Sequence, residues 1–538
     1  RMGFNRDRKH WGWGVASVVF PPDRLEVING FLASHFGKAA ADPMPIPTVE
    51  DLRMPEPALD FPGDFASFIT DARFDRATHT YGKAFRDIVR GLSGDFSVAP
   101  DLVAYPKTEA QIAAMLAWAQ RERIAVIPFG GGSSVVGGIE PPREERTAYR
   151  GVVTLDLCEL DQVLEIDTES RCARVQGGTY GPSLEQQLRP HGYTLRHFPQ
   201  SFEFSTVGGW IATRAGGHYA TVYTHIDDFV ESLRMVTPAG ILQTRRLPGN
   251  GAGPQEDRLL IGSEGSLGVI TEAWLRLQDI PRHRAGCSVL FDSFEAGVAA
   301  ARTLAQSGLF PANARLIQRE EVAFMGAGDG RHHLLVLGFE SAAIAQEEKL
   351  RAAMAICEAN EGKPQRPTIS SGTGSSQEGS SADQWKQAFL LAPYMRDELV
   401  RRGYVIETFE TCTTWDNYAS LDAAVRGACM EAMQSQCGGG LVTCRFTHLY
   451  PDGPAPYYTL IAPGQPGRQL EQWDAVKDAA SRVLIDNGAT ITHHHAVGKD
   501  HRPYYLQQIA PLSIEMLRAA RQAVDPLGIM NPGTLLPN

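Results

Sequence analysis

Residues 98–134 read VAPDLVAYPKTEAQIAAMLAWAQRERIAVIPFGGGSS. The stretch predicts strand, helix, strand and a glycine-rich loop. Thr108 stands at the helix start with Glu109 in its first turn, and Ile112, Met115, Leu116 and Ala119 recur at helical spacing. The loop itself, PFGGGSSVVGG from Pro128 to Gly138, is followed by more loop rather than by a helix. It is therefore neither the G-x-G-x-x-G turn in its usual place nor a Walker loop, which needs Gly-Lys-Ser/Thr. Three successive glycines still let backbone N–H groups converge on an anion without interference from Cβ, and Ser133 and Ser134 add hydroxyl donors. Alone, such a loop also reads as a flexible hairpin.

Working outward, it has company. PQSFEFSTVGGWIATRAGG (Pro199 to Gly217) is a second Gly/Ser/Thr cradle and GSEGSLGVIT (Gly262 to Thr271) a third. Three such loops within one run of about 170 residues fit a ligand with a pyrophosphate and an extended body. Between them lie short strands (GVVTLDL, QVLEID, CARVQGG, SLRMVTPAG, ILQTRRL) and a helix (SLEQQLRPHG). Beyond about residue 280, CSVLF, FEAGVAAARTLAQSG, ARLI and HHLLVLGFE alternate as longer strands and helices, which predicts an antiparallel sheet backed by helices. Ile369 to Gln384, ISSGTGSSQEGSSADQ, reads as a surface loop. The resulting division is an N-terminal segment of Pro-rich linkers and helices (1–97), a ligand-binding domain (98–277), a second α+β domain (278–470) and a C-terminal segment (471–538).

Composition narrows the function. A 538-residue chain with 43% hydrophobic and 21% charged residues is a soluble multidomain protein by profile. A net charge of -11 without a basic stripe argues against a nucleic-acid partner. Eight scattered cysteines with no Cys-x-x-Cys pair suit a reducing compartment and give no zinc framework. No apolar run approaches the roughly 20 residues that span a bilayer. The visible N-terminus, RMGFNRDRKHWGWG, lacks a signal-peptide core, and TLLPN is not a Ser-Lys-Leu address, so cytoplasm is the expected location.

Ile491 to Lys499 reads ITHHHAVGK. Three adjacent histidines suggest metal, proton transfer or a polar turn. In a strand, neighbours point to opposite faces, so His493 and His495 would share a side and His494 would face away. The His-x-x-x-His spacing of helical zinc sites is absent.

The set PFGGGSS, EFSTVGGWIATRAGG, VVTLDL and GSEGSLGVITEA resembles the FAD-binding domain of the vanillyl-alcohol-oxidase type. PANARLI, YMRDELVRRGYVIETFETCTTWD, CRFTHLYPDGPAPYY and THHHAVGK are similar, within that superfamily, to the alkyldihydroxyacetonephosphate synthase family. The resemblance implies an α+β, two-domain flavoprotein with a cap domain over the FAD-binding domain and a C-terminal segment returning to the flavin. It also implies an enzyme that exchanges the acyl chain of acyl-dihydroxyacetone phosphate for a fatty alcohol. A 2-hydroxy-acid or alcohol dehydrogenase or oxidase on the same scaffold is the rival, and a catalytically silent flavin or lipid binder is a third reading. Family flavin contacts fall on Pro128, Phe129, Gly130, Gly131, Gly132, Ser133 and Ser134; on Gln200, Ser201, Phe202, Glu203, Phe204, Ser205 and Thr206; on Thr213, Arg214, Ala215 and Gly216; and on Glu264, Gly265, Ser266, Leu267, Gly268, Val269 and Ile270. Gln200 stands where the family usually has Asp and Gly216 where it often has Ser. The first loop lacks the histidine that tethers flavin in some members, which implies non-covalent FAD.

The catalytic set carried over is Tyr457 as base, His493, His494 and His495 for proton and charge handling without metal, and Arg396 and Arg315 for phosphate and the reduced flavin. Arg445 and Lys499 are weaker cationic candidates, and Tyr458 leaves the tyrosine's register open. The implied partners are a phosphorylated lipid-like substrate and a fatty alcohol, with peripheral membrane contact and a homodimer as further expectations.

Overall fold

A computed structural model describes residues 3–326, 328–372 and 381–537. The opening stretch folds as its pattern predicts. Strand Leu102–Ala104 leads to helix Glu109–Glu122, capped by the Thr108 side chain accepting from Gln111 N, and then to strand Ile124–Phe129. Ile112, Met115, Leu116 and Ala119 are buried, as the helical spacing requires. Both strands pair parallel with Gly151–Asp156, in a four-stranded sheet of order Ile69–Thr70, Leu102–Ala104, Gly151–Asp156, Ile124–Phe129. The glycine-rich loop leaves this sheet at a carboxyl end, where open α/β sheets bind ligands. Ile124–Phe129 is an edge strand, and its free side is taken by the chain's last turn: Val126 N donates to Ile529 O and Asn531 N to Val126 O.

A second, antiparallel sheet has the order Val163–Asp167, Cys172–Gln176, Val269–Arg276, Val230–Thr237, Gly240–Gln243. Helix Val207–Thr213 packs on it, capped by Thr206 Oγ1 accepting from Gly209 N.

The third sheet is antiparallel throughout. Its path runs Lys363–Pro364, His283–Phe291, His333–Ser341, Asn313–Ile317, Leu441–Tyr450, Gly453–Pro463, Tyr404–Glu410, with Thr368–Ser371 also on His283–Phe291. Helices Phe294–Gln306, Glu347–Ala359, Trp415–Cys437 and Gln469–Asp486 bury one face of it in the largest apolar core. This is the antiparallel sheet backed by helices that the pattern beyond residue 280 predicts, and it completes the two-domain α+β architecture that the resemblance implies. The Ser/Gly-rich stretch departs from its loop expectation at both ends. Ile369 to Ser371 is strand because it pairs with Arg284 to Ala285 and its neighbours, and from Ser381 the chain is helical; the part between lies outside the described residues. Among the described residues no helix is long and apolar enough to cross a membrane.

Candidate active site

The opposite face of the third sheet, the helices Arg319–Met325 and Ser381–Arg401 that pack on it, and the first two glycine-rich loops line one cavity. Its empty volume is about 1780 Å³, open solvent at the mouth included. Strand period sets the sheet side of the lining. Tyr457, Thr459 and Ile461 point into the cavity, as do Arg445, Thr447, Ile406 and Thr408. Tyr458 and Leu460 point the other way into the helical core, and the Tyr458 hydroxyl donates to Asp422. Of the two tyrosines it is thus Tyr457 that faces the cavity.

On the loop side the lining is Gly130, Gly131, Gly132, Ser133, Ser134, Gln200, Ser201, Ser205, Thr206, Thr213, Ala215 and Gly216. The backbone N–H groups from Gly130 to Val135 meet no acceptor among the described residues, which is the signature of an anion cradle. Gly130 and Gly131 are needed for closeness of another kind. A Cβ on Gly130 would run into Thr206 Oγ1, and one on Gly131 into the Phe204 carbonyl and Ser205 Cα. The glycines thus let the two cradles touch each other. A dinucleotide's pyrophosphate fits this geometry.

Several expected contacts do not line the cavity. Phe129 is buried beneath the loop against Phe4 and His79. Pro128 packs on Gly265, the Phe204 ring meets Trp13, Phe202 packs against Gly181 and Phe198, and Arg214 pairs with Asp227. Glu203 likewise stands outside the lining. The third loop, Glu264 to Ile270, backs the site instead. Ser266 bonds Ser263 O, Gly268 packs on Val236 and Met235, and Leu267, Val269 and Ile270 are core residues. Glu264, at φ +53°, accepts from Val497 N at 3.2 Å and Gly498 N at 2.8 Å, tying this loop to the end of the histidine tract.

Burial pushes the Glu264 carboxyl up to about 7, against those two N–H donors and Lys499. The unfolded group ionises near 4.5. Between these values the folded chain holds a proton that the unfolded chain has released, so stability falls as pH rises through the window, by roughly 3 kcal/mol in all. Urea midpoints of wild type and Glu264→Gln at pH 5 and pH 8 check this. The variant is expected to lose the slope, and an equal slope in both would rule Glu264 out.

Arg315 is 1% exposed and lines the cavity. Its Nη2 donates to His218 O at 2.8 Å, while among the described residues Nε and Nη1 have no hydrogen-bond partner. Burial, with Arg445 nearby, brings its guanidinium down to about 9. Arg445 lies 3.9 Å over the Tyr457 ring and donates to Glu321. Burial raises the Tyr457 phenol above its usual value, and Arg445 opposes that rise without cancelling it. Arg396 also lines the cavity, but Nη2 donates to Lys83 O and Nε to Asp397, so it braces the wall as well as facing it. Lys499 does not reach the cavity. Its ammonium holds the carbonyls of Gly137 and Glu140 and the Thr534 hydroxyl.

The histidine tract is a bend, not a strand, because its backbone wraps a buried carboxylate, Glu410. His494 and His495 line the cavity together, and His493 lies beneath with Nε2 on the Tyr450 hydroxyl at 2.6 Å. Ring nitrogens of His448, His493 and His494 lie within 4.8 Å of one another. Both nitrogens of His448 and of His493 already have hydrogen-bond partners, Thr447 and Gly217 for the first, Tyr450 and His494 for the second.

Sequence reasoning missed Trp13, Glu321, Glu410 and His448. Trp13 reaches the cavity because its N–H is held by Asp397 at 2.6 Å, a contact across 384 positions that no local pattern announces. His448 carried a signal, since it sits in the same CRFTH run as Arg445.

A glycine cradle with orphaned N–H donors, facing an antiparallel cap sheet that presents a tyrosine, arginines and histidines, defines a flavoprotein of the FAD-linked oxidase class. Family models agree: "FAD binding domain" matches residues 100–245 and "FAD linked oxidases, C-terminal domain" residues 280–535. Alkyldihydroxyacetonephosphate synthase of Caenorhabditis elegans is 30% identical over 87% of this chain and 81% of its own length. That of Dictyostelium discoideum is 28% identical over 87% and 78%. A solved alkyldihydroxyacetonephosphate synthase superposes with a TM-score of 0.81 at 25% identity, covering 98% of both chains. The chain belongs to the alkyldihydroxyacetonephosphate synthase family, and its cofactor is FAD.

Proposed function

We propose that this protein exchanges the acyl chain of acyl-dihydroxyacetone phosphate for a fatty alcohol. The observation that carries the reading is Arg315, a buried guanidinium with two donors unpartnered among the described residues, lining the same cavity as Tyr457 and His495. Such a group suits a phosphate or carboxylate, which accepts paired N–H donors. Arg315 holds the anionic end of the substrate; Tyr457, under Arg445, removes a proton beside the ketone; the histidines carry protons for the exchanging oxygens. Phe324, Met325, Leu399 and Ile461 give the alkyl chain an apolar wall. Bound FAD supplies a ring that can take up and return an electron pair, with no net redox change.

Anaerobic mixing of the holoenzyme with acyl-dihydroxyacetone phosphate and a fatty alcohol tests this. Ether product and free fatty acid are expected, with no oxygen requirement and no loss of rate on treatment with a chelator. Flavin bleached by a 2-hydroxy acid, with no exchange, would establish the dehydrogenase reading instead. Chelator-sensitive turnover restored by zinc or manganese would remove the metal-free role of the histidines.

Peripheral membrane contact is supported by the helix Pro22–Phe36, where Val27 and Phe31 are exposed, as is Val19 shortly before the helix. Val27 and Phe31 line a surface groove with Phe324 and Met325, which also wall the cavity. Co-sedimentation with phospholipid vesicles, unchanged by Val27→Asp, would discount that surface.

A further inference from the structure

Glu410 ends the strand Tyr404–Glu410, opposite Tyr457, and is fully buried. The backbone N–H groups of His493, His494 (2.9 Å) and His495 (3.2 Å) all donate to its carboxylate, as does the Thr492 hydroxyl at 2.6 Å. Three consecutive N–H groups and a hydroxyl on one carboxylate fix the shape of the whole tract. They also assign the ring nitrogens. His493 uses both, on Tyr450 and on His494 Nδ1 at 2.9 Å. His494 Nδ1 is thus occupied and lies 3.6 Å from Glu410. His495 Nδ1 lies 3.2 Å from Glu410 Oε1, and among the described residues neither its Nε2 nor that of His494 makes a hydrogen bond, both rings lining the cavity.

We propose that Glu410 is a positioning residue that makes His495 the proton carrier of the tract. It orients Nδ1–H toward its own carboxylate, turns Nε2 to the cavity and balances the charge when Nε2 is protonated. The inference rests on the exchange reaction proposed above. There, the alcohol gives its O–H proton to His495 Nε2 as its oxygen bonds the substrate carbon. The C–O bond to the carboxylate breaks with its electron pair, and the proton passes from Nε2 to the departing acid.

The surroundings select His495 over its neighbours. His495 faces Glu410 and Glu407 from one strand, Lys477 from the helix Gln469–Asp486, Arg445 and Tyr457 from the adjoining strands, and His494 and His501 from its own segment. Burial lowers its basicity, and Glu410 is the largest influence in the other direction. His494 faces His495, His225, Arg445 and Arg315 with Glu410 3.6 Å from its Nδ1, and His493 faces three further histidines and Glu410; burial and the neighbouring cations and imidazoles outweigh the carboxylate and hold both well below the usual histidine range.

The test is histidine-ring ¹⁵N NMR of the FAD-loaded protein across pH, with assignments from His493→Asn, His494→Asn and His495→Asn. Among the three rings, His495 is expected to titrate at the highest pH and to carry its proton on Nδ1 when neutral. Glu410→Gln should lower that titration, shift the acid limb of the pH–rate profile and cut kcat about 10²-fold or more. Glu410→Asp keeps the charge and should retain the limb at reduced rate, which covers the case in which Glu410→Gln does not fold. The proposal is overturned if His493 or His494 titrates first, or if loss of the carboxylate slows turnover with the pH profile unmoved. The NMR order needs no substrate, so a failed exchange assay alongside His495 titrating first would sink the reaction and leave the dyad.

Discussion

Tyr457→Phe is expected to lower turnover about 10²–10⁴-fold with FAD still bound, because it deletes one hydroxyl acting as acid or base. The ring itself keeps its place: it lies under Arg445 and between two paired strands, none of which depends on the oxygen. The visible flavin spectrum should therefore match wild type while product formation falls. Tyr458→Phe is the matched control. It loses a hydrogen bond to Asp422 on the opposite side of the sheet, costing about 1 kcal/mol of stability, and should leave turnover near normal. Near-normal activity in Tyr457→Phe would move the proton chemistry to the histidines alone.

Gly131→Val is expected to yield protein that does not retain FAD. The new side chain meets backbone, the Phe204 carbonyl and Ser205 Cα, so no rotamer change relieves it and the two cradles must part. Gly427→Ala, in the helix Trp415–Cys437 with open space at its Cβ, should bind FAD as wild type does. Acid precipitation of the wild type should leave the flavin in the supernatant, since the first loop carries no tethering histidine. Flavin retained at wild-type affinity by Gly131→Val would misplace the cradle.

The legible parts of this molecule were those governed by local repetition. Helix Glu109–Glu122 follows from its apolar spacing and its Thr cap, and the strands Cys172–Gln176 and His333–Ser341 fall on the short runs CARVQGG and HHLLVLGFE. The site was legible where motif and period coincide, as at Gly130 to Ser134. The choice between Tyr457 and Tyr458 was not, since either parity is consistent with PAPYYTL until the helices choose a face of the sheet. The histidine bend was hidden for a related reason. Its cause is Glu410, more than eighty positions away, and a carboxylate at the end of YVIETFE carries no mark of what will fold around it. Glu264 shows the converse. It sits inside a recognisable glycine motif, yet its side chain serves the C-terminal segment.

The docking of Ile529 to Asn531 along Ile124–Phe129 has a consequence for biosynthesis. At about 5–20 residues per second, the 400 residues from Phe129 to Ile529 take roughly 20–80 s to emerge. Throughout that interval an apolar β-edge stands open on the nascent chain, able to template pairing with a neighbouring polypeptide. The segment Ile529 to Asn531 seals it once it has emerged. These residues thus act as an intramolecular guard against aggregation, and a chain cut short before Ile529 should be prone to aggregate.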